Sequence, residues 1–270
     1  MKQSLGERLF YTTLIVGLGF FVLIPVTILL LYSFTGQWNY PDLVPSRLTR
    51  EWYSYLFKYT GGLSAIIQST ELAVSTTLAT IVLGVPAGYV LARYRFRGRT
   101  LLKMLFLTKL AVPVIVVAVG TASLYIRFNL YDTFHGLLMA HVVGALPYMV
   151  WTCSATFEGI EPSLEEAAQD MGAGFWRTFF EILLPTALPG VLSGSILVFL
   201  YSMQEFPVTL LISGVKYTTM PLRLFENLHQ GFIEPGSATA VILLIPSVIY
   251  LVIAVKFLRL NDLSSGLGGG

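Results

Sequence analysis

Charged residues are scarce in this sequence. Asp, Glu, Lys and Arg make up 12% of the 270 residues, whereas hydrophobic residues make up 55%. An ordinary soluble domain carries about 25% charged residues, and a soluble fold of this length has too little interior to bury so much apolar surface. The sequence therefore predicts lipid as the solvent for much of the chain. The net charge of +2 gives no indication of nucleic-acid binding.

Groups suited to catalysis or metal binding are also rare. Cys153 is the only cysteine and lies in an apolar run, which excludes a disulfide framework and a cysteine metal site and predicts a small core residue. The sequence has no Gly-Lys dipeptide, so it cannot form the phosphate-binding loop of an ATPase. No nucleophile–base pair or cluster of metal ligands is recognisable. We predict a chain that is not an enzyme and that binds no metal or cofactor of its own.

Long apolar runs dominate what is present. A bilayer core about 30 Å thick requires about 20 helical residues to cross it. Helices are expected because lipid cannot satisfy free backbone groups, and the alternating pattern of a membrane barrel is absent. The predicted fold is all-α, a polytopic membrane bundle with about six transmembrane helices in a single domain over residues 1–270. The predicted spans are residues 12–34, 66–92, 101–127, 133–156, 187–213 and 236–258.

The placement of Lys and Arg predicts the orientation, because cytoplasmic loops carry an excess of these residues. If the N-terminus is cytoplasmic, the inner segments hold Lys2, Arg8, Arg93, Arg95, Arg97, Arg99, Lys103, Arg177, Lys256 and Arg259. The outer loops then hold Arg47, Arg50, Lys58, Lys216 and Arg223. The inner set is larger, so both termini are predicted to face the cytoplasm.

The segments outside the spans differ in composition. Residues 35–65 and 214–235 are predicted outer loops. The first suits an interfacial helix, and the second suits a short amphipathic helix over Met220–Leu228. The Ser- and Gly-rich tail 263–270 is predicted to be flexible.

The inner loop 157–186 predicts two short helices with a break between them. Pro162 suits a first helical turn, and Gly172 can take the left-handed conformation that ends a helix. The second helix is expected to run until Pro185, with Pro189 beginning the next span. An apolar stripe at helical spacing lies on the first helix and consists of Leu164, Ala167, Ala168 and Met171.

Two uses of the first helix fit its composition. Small alanines permit close approach to another surface, and Glu165, Glu166 and Asp170 can pair with basic groups on that surface. A short, rigid helix of this kind fits a socket in a soluble partner. The alternative is a surface helix that only connects two spans.

The same loop resembles a known motif, the EAA loop of bacterial ABC importer permeases. Every motif position is matched with its spacing, by Glu166, Ala167, Ala168, Gly172, Ile182, Leu184 and Pro185. Other stretches are similar to the spermidine/putrescine permease branch, namely Ala92 to Gly98, Ser202 to Glu205 and Met220 to Leu222. Iron and 2-aminoethylphosphonate importers have similar permeases.

The resemblance implies a multi-pass permease of the type I ABC importer kind in the bacterial cytoplasmic (inner) membrane. It implies a coupling helix near Glu166, Ala167, Ala168 and Gly172 that inserts into a separate ATPase subunit, with Glu165 and Asp170 in the same docking loop. ATP and Mg would be bound by that ATPase, whose closing would rock the permease between inward-open and outward-open states. The other implied partners are a second permease subunit, a related heterologous chain, and an extracytoplasmic solute-binding protein.

Polar groups within the spans are candidates for the solute path, because charged groups in lipid usually face a protein interior or a water-filled cavity. The candidates are Glu205, Gln204, Glu71, Lys109 and His141. Pro207 can loosen the helix near Glu205 and free backbone groups for a cavity. Glu71 and His141 could instead reach interfacial water, and Lys109 could snorkel or pair with a carboxylate.

Glu205 and the branch resemblance predict uptake of a small amine-bearing polar solute, of the polyamine or aminophosphonate type. Iron or another small solute of the same family is an alternative, because Gln204 stands where the polyamine branch has the first of two acidic residues. A secondary transporter driven by an ion gradient is a second alternative. It would favour paired broken helices in two related halves, and such halves are not recognisable here.

Overall fold

Helices joined by short loops make up most of the structure, a computed structural model that describes residues 5–38 and 41–267. Within these ranges, the side chains of residues 5–9, 22, 107, 109, 110 and 258–267 are not described. The α-helices are Leu5–Ser33 (α1), Glu51–Tyr59 (α2), Gly62–Arg93 (α3), Arg99–Ala111 (α4), Val114–Arg127 (α5), Phe134–Gly159 (α6), Pro162–Asp170 (α7), Phe175–Thr178 (α8), Leu184–Gln204 (α9), Pro207–Ile212 (α10), Met220–His229 (α11) and Ile233–Leu267 (α12). A π-helical turn, Phe179–Leu183, joins α8 to α9. The predicted all-α fold is confirmed.

The chain divides into two compact units. One comprises Met1–Leu63 with Arg223–Leu244, and the other comprises Ser64–Leu222 with Ile245–Gly270. The second unit contains the loop 157–186 and every candidate for the solute path. The single domain over residues 1–270 stays a prediction.

Five helices of the described chain are long and apolar enough to cross a membrane. They are Phe10–Ser33, Gly62–Arg93, Phe134–Gly159, Phe175–Gln204 and Ile233–Phe257. The shortest has 24 residues, which at 1.5 Å per residue gives about 36 Å, more than the hydrocarbon thickness of a bilayer. Four of the five match predicted spans to within four residues. The predicted span 187–213 is instead divided, because its helix ends at Gln204 and α10 follows a break at Glu205 and Phe206.

The remaining predicted span, residues 101–127, is not one helix. It is divided into α4 and α5 at Val112 and Pro113, both of which have extended ψ angles near 127°. The ring of Pro113 disfavours the helical conformation of the residue before it, which explains the break. With 13 and 14 residues, α4 and α5 are each about 20 Å long, too short to cross a bilayer alone.

The helix that enters the fifth span is longer than predicted. It continues from Phe175 through Pro185 and Pro189, so the expected stop at Pro185 is wrong. In the π-turn the N–H of Leu184 donates to the carbonyl of Phe179, five residues earlier. Because the wider turn has already changed the bonding pattern, the missing N–H of Pro185 does not end the helix.

A buried cluster holds α3, α6, the π-turn and α9 together, and it includes Cys153 as predicted. Glycines permit the closest approaches. A Cβ on Gly88 of α3 would lie 2.6 Å from the Cβ of Cys153, and one on Gly190 of α9 would lie 1.8 Å from the hydroxyl of Thr156. The two glycines therefore allow side chains of α6 to pack directly against the backbones of α3 and α9.

Smaller predictions had mixed outcomes. The helices expected in the segments 35–65 and 214–235 are present as α2 and α11. The predicted flexible tail 263–270 is helical as far as Leu267, because each residue added to an existing helix gains a hydrogen bond and no proline stops it. Residues 268–270 lie outside the described residues.

Candidate functional site

The loop 157–186 is built around α7, which begins at Pro162 and ends at Asp170 as its sequence predicts. At its end the N–H of Ala173 donates to the carbonyl of Ala168 over 2.9 Å, which reverses the chain direction. Gly172 has a φ of +82°, a conformation that side chains disfavour. The helix and its glycine stop are confirmed.

The face of α7 that points toward the helix bundle is attached to the end of α3 through Glu165. Its carboxylate forms an ion pair with Arg93 and accepts a hydrogen bond of 3.1 Å from the hydroxyl of Tyr89. Arg93 also donates to the carbonyl of Ile160 over 2.8 Å, just after α6 ends. The side chains of Arg93 and Glu165 are 14% and 16% exposed, so Glu165 faces the bundle rather than solvent.

Other basic residues of the segment after α3 are held nearby. Arg99 and Lys103 each reach the same carboxylate oxygen of Glu158, at 3.3 and 3.0 Å. Arg99 also donates to the carbonyl of Leu91 over 2.8 Å. Arg95 and Arg97 are exposed. The basic cluster that predicted the orientation is therefore partly used to hold α3, α4 and α6 together.

The face of α7 that points away from the helix bundle is exposed. Of the six predicted docking residues, Glu166, Ala167, Asp170 and Gly172 are exposed, whereas Ala168 is buried and Glu165 is turned inward. Large apolar side chains lie exposed along the same loop, namely Leu164, Met171, Phe175, Trp176 and Phe180. Exposed apolar side chains flanked by acidic residues are typical of a protein-binding surface.

Glu205 occupies the break between α9 and α10. Its carboxylate accepts hydrogen bonds from the backbone N–H groups of Val208 and Thr209, at 2.9 and 3.0 Å, and from the hydroxyl of Thr209. It therefore caps the N-terminus of α10, where free N–H groups and the helix dipole favour a negative charge. Glu205 is 5% exposed, so little of it reaches the pocket that it borders.

His141 lies against the same break and is 1% exposed. Its Nδ1 is 2.8 Å from the hydroxyl of Ser202, and its Nε2 is 3.0 Å from the hydroxyl of Thr209 and 3.6 Å from Glu205. The imidazole thus joins α6 to α9 and α10. The alternative in which His141 reaches interfacial water is wrong, because both ring nitrogens are satisfied inside the bundle.

Gln204 adjoins this cluster, because it shares a pocket with Glu205. Gln204 is exposed at an open pocket of about 430 Å³. The pocket is lined by Val114, Tyr148, Leu197, Leu200, Tyr201, Gln204, Glu205 and Pro207, and the rings of the two tyrosines are 5.5 Å apart. Glu71 is exposed on α3, and the side chain of Lys109 lies outside the described residues.

Several partners of these groups were not predicted. Ser202 bonds His141 and Tyr89 bonds Glu165, in each case from a different helix, so that no spacing along the chain indicates either pair. Thr209 bonds Glu205 at a spacing of four residues, which is typical of contacts along one helix, although the helix is broken between them. That spacing is the one signal for a partner that the sequence offers here.

A third carboxylate, Asp132, lies in the loop between α5 and α6. It accepts hydrogen bonds from the backbone N–H groups of Gly214, Val215, Lys216 and Tyr217, at 3.0 to 3.4 Å. Burial alone would raise the pKa of Asp132, but these four donors outweigh it and lower the pKa below its ordinary 3.8. The charge of Asp132 therefore fixes the loop after α10.

A family model that describes the binding-protein-dependent transport system inner membrane component matches residues 84–262, which include α7, the π-turn and the break at Glu205. The chain belongs to this family. It is an importer permease, a multi-pass protein of the inner membrane, and its relatives are transport permease subunits rather than enzymes.

Two relatives and one solved structure illustrate the similarity. The permease is 35% identical over 244 residues to the spermidine/putrescine transport system permease protein PotC of Haemophilus influenzae, covering 90% of this chain and 93% of that one. It is 32% identical to the trehalose transport system permease protein SugB of Mycobacterium tuberculosis, covering 89% of each. A bacterial ABC transporter that imports alginate has a similar fold, with a TM-score of 0.71 at 18% identity over 95% of this chain and 99% of that chain.

Proposed function

We propose that this permease forms half of an inner-membrane path for a small amine-bearing polar solute, and that a separate ATPase docks on α7 and drives transport. The proposal rests on one observation: one face of α7 is attached to the bundle and the other face is exposed. Glu165 attaches one face of α7 to the bundle, while Glu166, Ala167 and Asp170 remain exposed. A helix that passes movement from a soluble partner to a membrane bundle needs both an attached side and an open side.

The proposed assembly contains further subunits. A second, related but different permease chain supplies the other half of the path, and an extracytoplasmic binding protein delivers the solute. Both termini of this chain and the loop 157–186 face the cytoplasm. The basic residues near that loop support this orientation, because Arg95 and Arg97 are exposed beside it.

The solute is proposed to be of the polyamine or aminophosphonate type. The similarity to a spermidine/putrescine permease supports an amine. So does the pocket beside Gln204, where Tyr148 and Tyr201 offer aromatic rings to a cation. Glu205 supports an amine-bearing solute less strongly than the sequence analysis predicts, because its carboxylate already accepts hydrogen bonds inside the protein.

A neutral, hydroxyl-rich solute is the second candidate. The similarity to a trehalose permease favours it, as does the amide of Gln204, which is the exposed polar group at the mouth of the pocket. The two candidates separate in a thermal-shift assay of the cognate binding protein with spermidine, 2-aminoethylphosphonate and trehalose. A response to trehalose without a response to either amine would contradict the amine proposal.

The docking proposal is tested by Glu166→Lys in the complete transporter. We expect loss of the ATPase from complexes purified through a tag on this chain, and at least about a tenfold fall in ATP-dependent uptake of labelled spermidine or putrescine. The reason is that like charges placed together at an interface cost several kcal/mol, and about 1.4 kcal/mol corresponds to a factor of ten.

Glu181→Lys is the matched control, because it makes the same charge change at an exposed position of the same loop outside α7. Full ATP-dependent uptake by the Glu166→Lys transporter would refute docking at α7. Uptake by vesicles that hold a proton or sodium gradient but no nucleotide would instead support a secondary transporter.

A further inference from the structure

The ion pair between Arg93 and Glu165 lies on the face of α7 that points toward the helix bundle. Glu165 and Glu166 are consecutive, so their side chains point about 100° apart around the helix. Glu166 is exposed, whereas the carboxylate of Glu165 is enclosed by Arg93 and Tyr89. Two acidic neighbours on one short helix therefore have different surroundings.

Arg93 connects three helices at one point. It is the last residue of α3, it pairs with Glu165 of α7, and its guanidinium donates to the carbonyl of Ile160 just after α6. A planar guanidinium with several donors can hold two acceptors at once, which a lysine ammonium does with less geometric definition. The side chains are mostly buried, so this pair is screened less by water than a surface pair.

Tyr89 reinforces the same connection. It lies one helical turn before Arg93, its hydroxyl donates to Glu165, and its ring packs at 5.3 Å from Phe157 of α6 and 5.2 Å from Phe179 of the π-turn. Aromatic pairs at such distances add packing energy beyond the area they bury. The acceptor Glu165 is thus held by a residue that is itself fixed in the core of the bundle.

In the part of the chain that the structure describes, no ion pair joins the other end of α7 to a neighbouring helix. There the N–H of Gly172 donates to the carbonyl of Gln169 over 2.8 Å, and the carbonyl of Gly174 accepts from the N–H of Thr178 over 3.0 Å. These backbone bonds join α7 to the turn and the helix that follow it. The pair at Glu165 instead joins α7 to α3 and, through Arg93, to the end of α6.

We infer that Arg93 and Glu165 form the link through which a displacement of α7 moves α3 and α6, and that Glu165 takes no part in the contact with the ATPase. The inference rests on the proposed docking of an ATPase at α7. It makes Glu165 a positioning residue whose partner lies within this chain. Its loss should leave the ATPase bound and uncouple the bundle from it.

The test measures a distance within the complete transporter, purified through a tag on this chain and placed in lipid nanodiscs. Spin labels are attached to Gln169→Cys on α7 and Arg95→Cys beyond α3, both exposed positions outside the predicted docking residues, while Cys153 is buried. Pulsed electron paramagnetic resonance then gives the distance with and without Mg-ATP and vanadate. With the link intact we expect one narrow distance that is unchanged by trapping.

Glu165→Gln and Arg93→Met should each broaden or shift that distance on trapping, with uptake of labelled spermidine reduced at least tenfold and the amount of co-purified ATPase unchanged. The exchanged pair, Arg93→Glu with Glu165→Arg, should restore a narrow distance. Glu181→Gln breaks an exposed Arg–Glu pair of the same loop and should change nothing. Rescue by exchange separates a specific link from a general loss of folding.

An unchanged distance in both single variants would overturn the inference. So would loss of the ATPase in Glu165→Gln, because that result would make Glu165 a docking contact, and so would failure of the exchanged pair to recover the narrow distance. If no ATPase co-purifies with the unaltered chain, the proposed function falls, and the inference falls with it, before any variant is made.

Discussion

Glu165 at the end of the bundle and Glu205 in its interior are both turned into the protein, yet they are satisfied by different kinds of partner. Glu165 has a full positive charge beside it, from Arg93. Glu205 has two backbone N–H groups and the hydroxyl of Thr209, with His141 next to them. One site is an ion pair near water, and the other is a capped helix terminus deep in an apolar span.

The difference follows from the cost of burying charge. An ion pair near the end of a bundle keeps part of its hydration, whereas moving two full charges into an apolar interior costs more than their attraction returns unless further hydrogen bonds are made. A helix N-terminus supplies several aligned donors without a second charge. We therefore expect the bundle to stay intact when Arg93 and Glu165 are exchanged, whereas Glu205 holds the break between α9 and α10 through its hydrogen bonds.

Removing the interior carboxylate should have the largest effect. Glu205→Ala leaves the N–H groups of Val208 and Thr209 without their acceptor, and buried donors without partners cost about 1–3 kcal/mol each. We expect the free energy of unfolding to fall by about 2–6 kcal/mol for the two donors, seen as a lower Tm in detergent. Gln204→Ala, at the exposed neighbour, is the control. Equal Tm values for Glu205→Ala and Gln204→Ala would contradict the capping role.

Asp132 provides an intermediate case, a carboxylate satisfied by backbone donors as Glu205 is but lying outside the spans. Its folded pKa is lowered below 3.8, so its stabilising effect is present above the unfolded pKa and is lost as the pH falls through the folded pKa. We expect Asp132→Asn to lower the Tm at pH 7, and the difference from the wild type to shrink as the pH falls below 3.8. A difference that stays constant between these pH values would show that the charge of Asp132 does not hold the loop.

The smallest effect is expected for an Arg–Glu pair of the same chemistry as Arg93 and Glu165 but in full contact with water. Arg177 and Glu181 are 2.9 Å apart, with side chains 70% and 62% exposed. Exposed pairs contribute little because water and salt screen them and both side chains lose freedom. Glu181→Gln should therefore leave the Tm unchanged in low and high salt. A clear loss of stability would mean that exposure does not distinguish the two pairs.

Some elements were predictable because their cause is local. The helix α7 follows from Pro162, its apolar spacing and Gly172, and these act over fewer than a dozen residues. The break after Glu205 follows from Pro207 in the same way. By contrast, the division of 101–127 into α4 and α5 was not predicted. The apolar run is long enough to cross a membrane, and Pro113 by itself does not show whether a helix of that length bends or breaks.

The position of the candidate site along the chain was predictable, but which of its acidic residues face the bundle was not. Glu165 and Glu166 are equivalent in composition, and the sequence placed both among the docking residues. Only the approach of Arg93 to one of them separates their tasks, and that residue lies 72 positions earlier in the chain (165 − 93). Likewise the sequence marked Glu205 and His141 as polar groups in spans without indicating that Thr209 joins them.

The sequence alone determined that much of this chain is embedded in lipid, which segments are apolar, and which loop has the EAA spacing. Hydropathy and short motifs depend on neighbours along the chain, so they can be read without a structure. The tertiary structure decided which acidic residues face inward and which remain available to a partner. That choice depends on groups brought together from distant helices, and the energy of a charge is set by those groups and by the water they exclude.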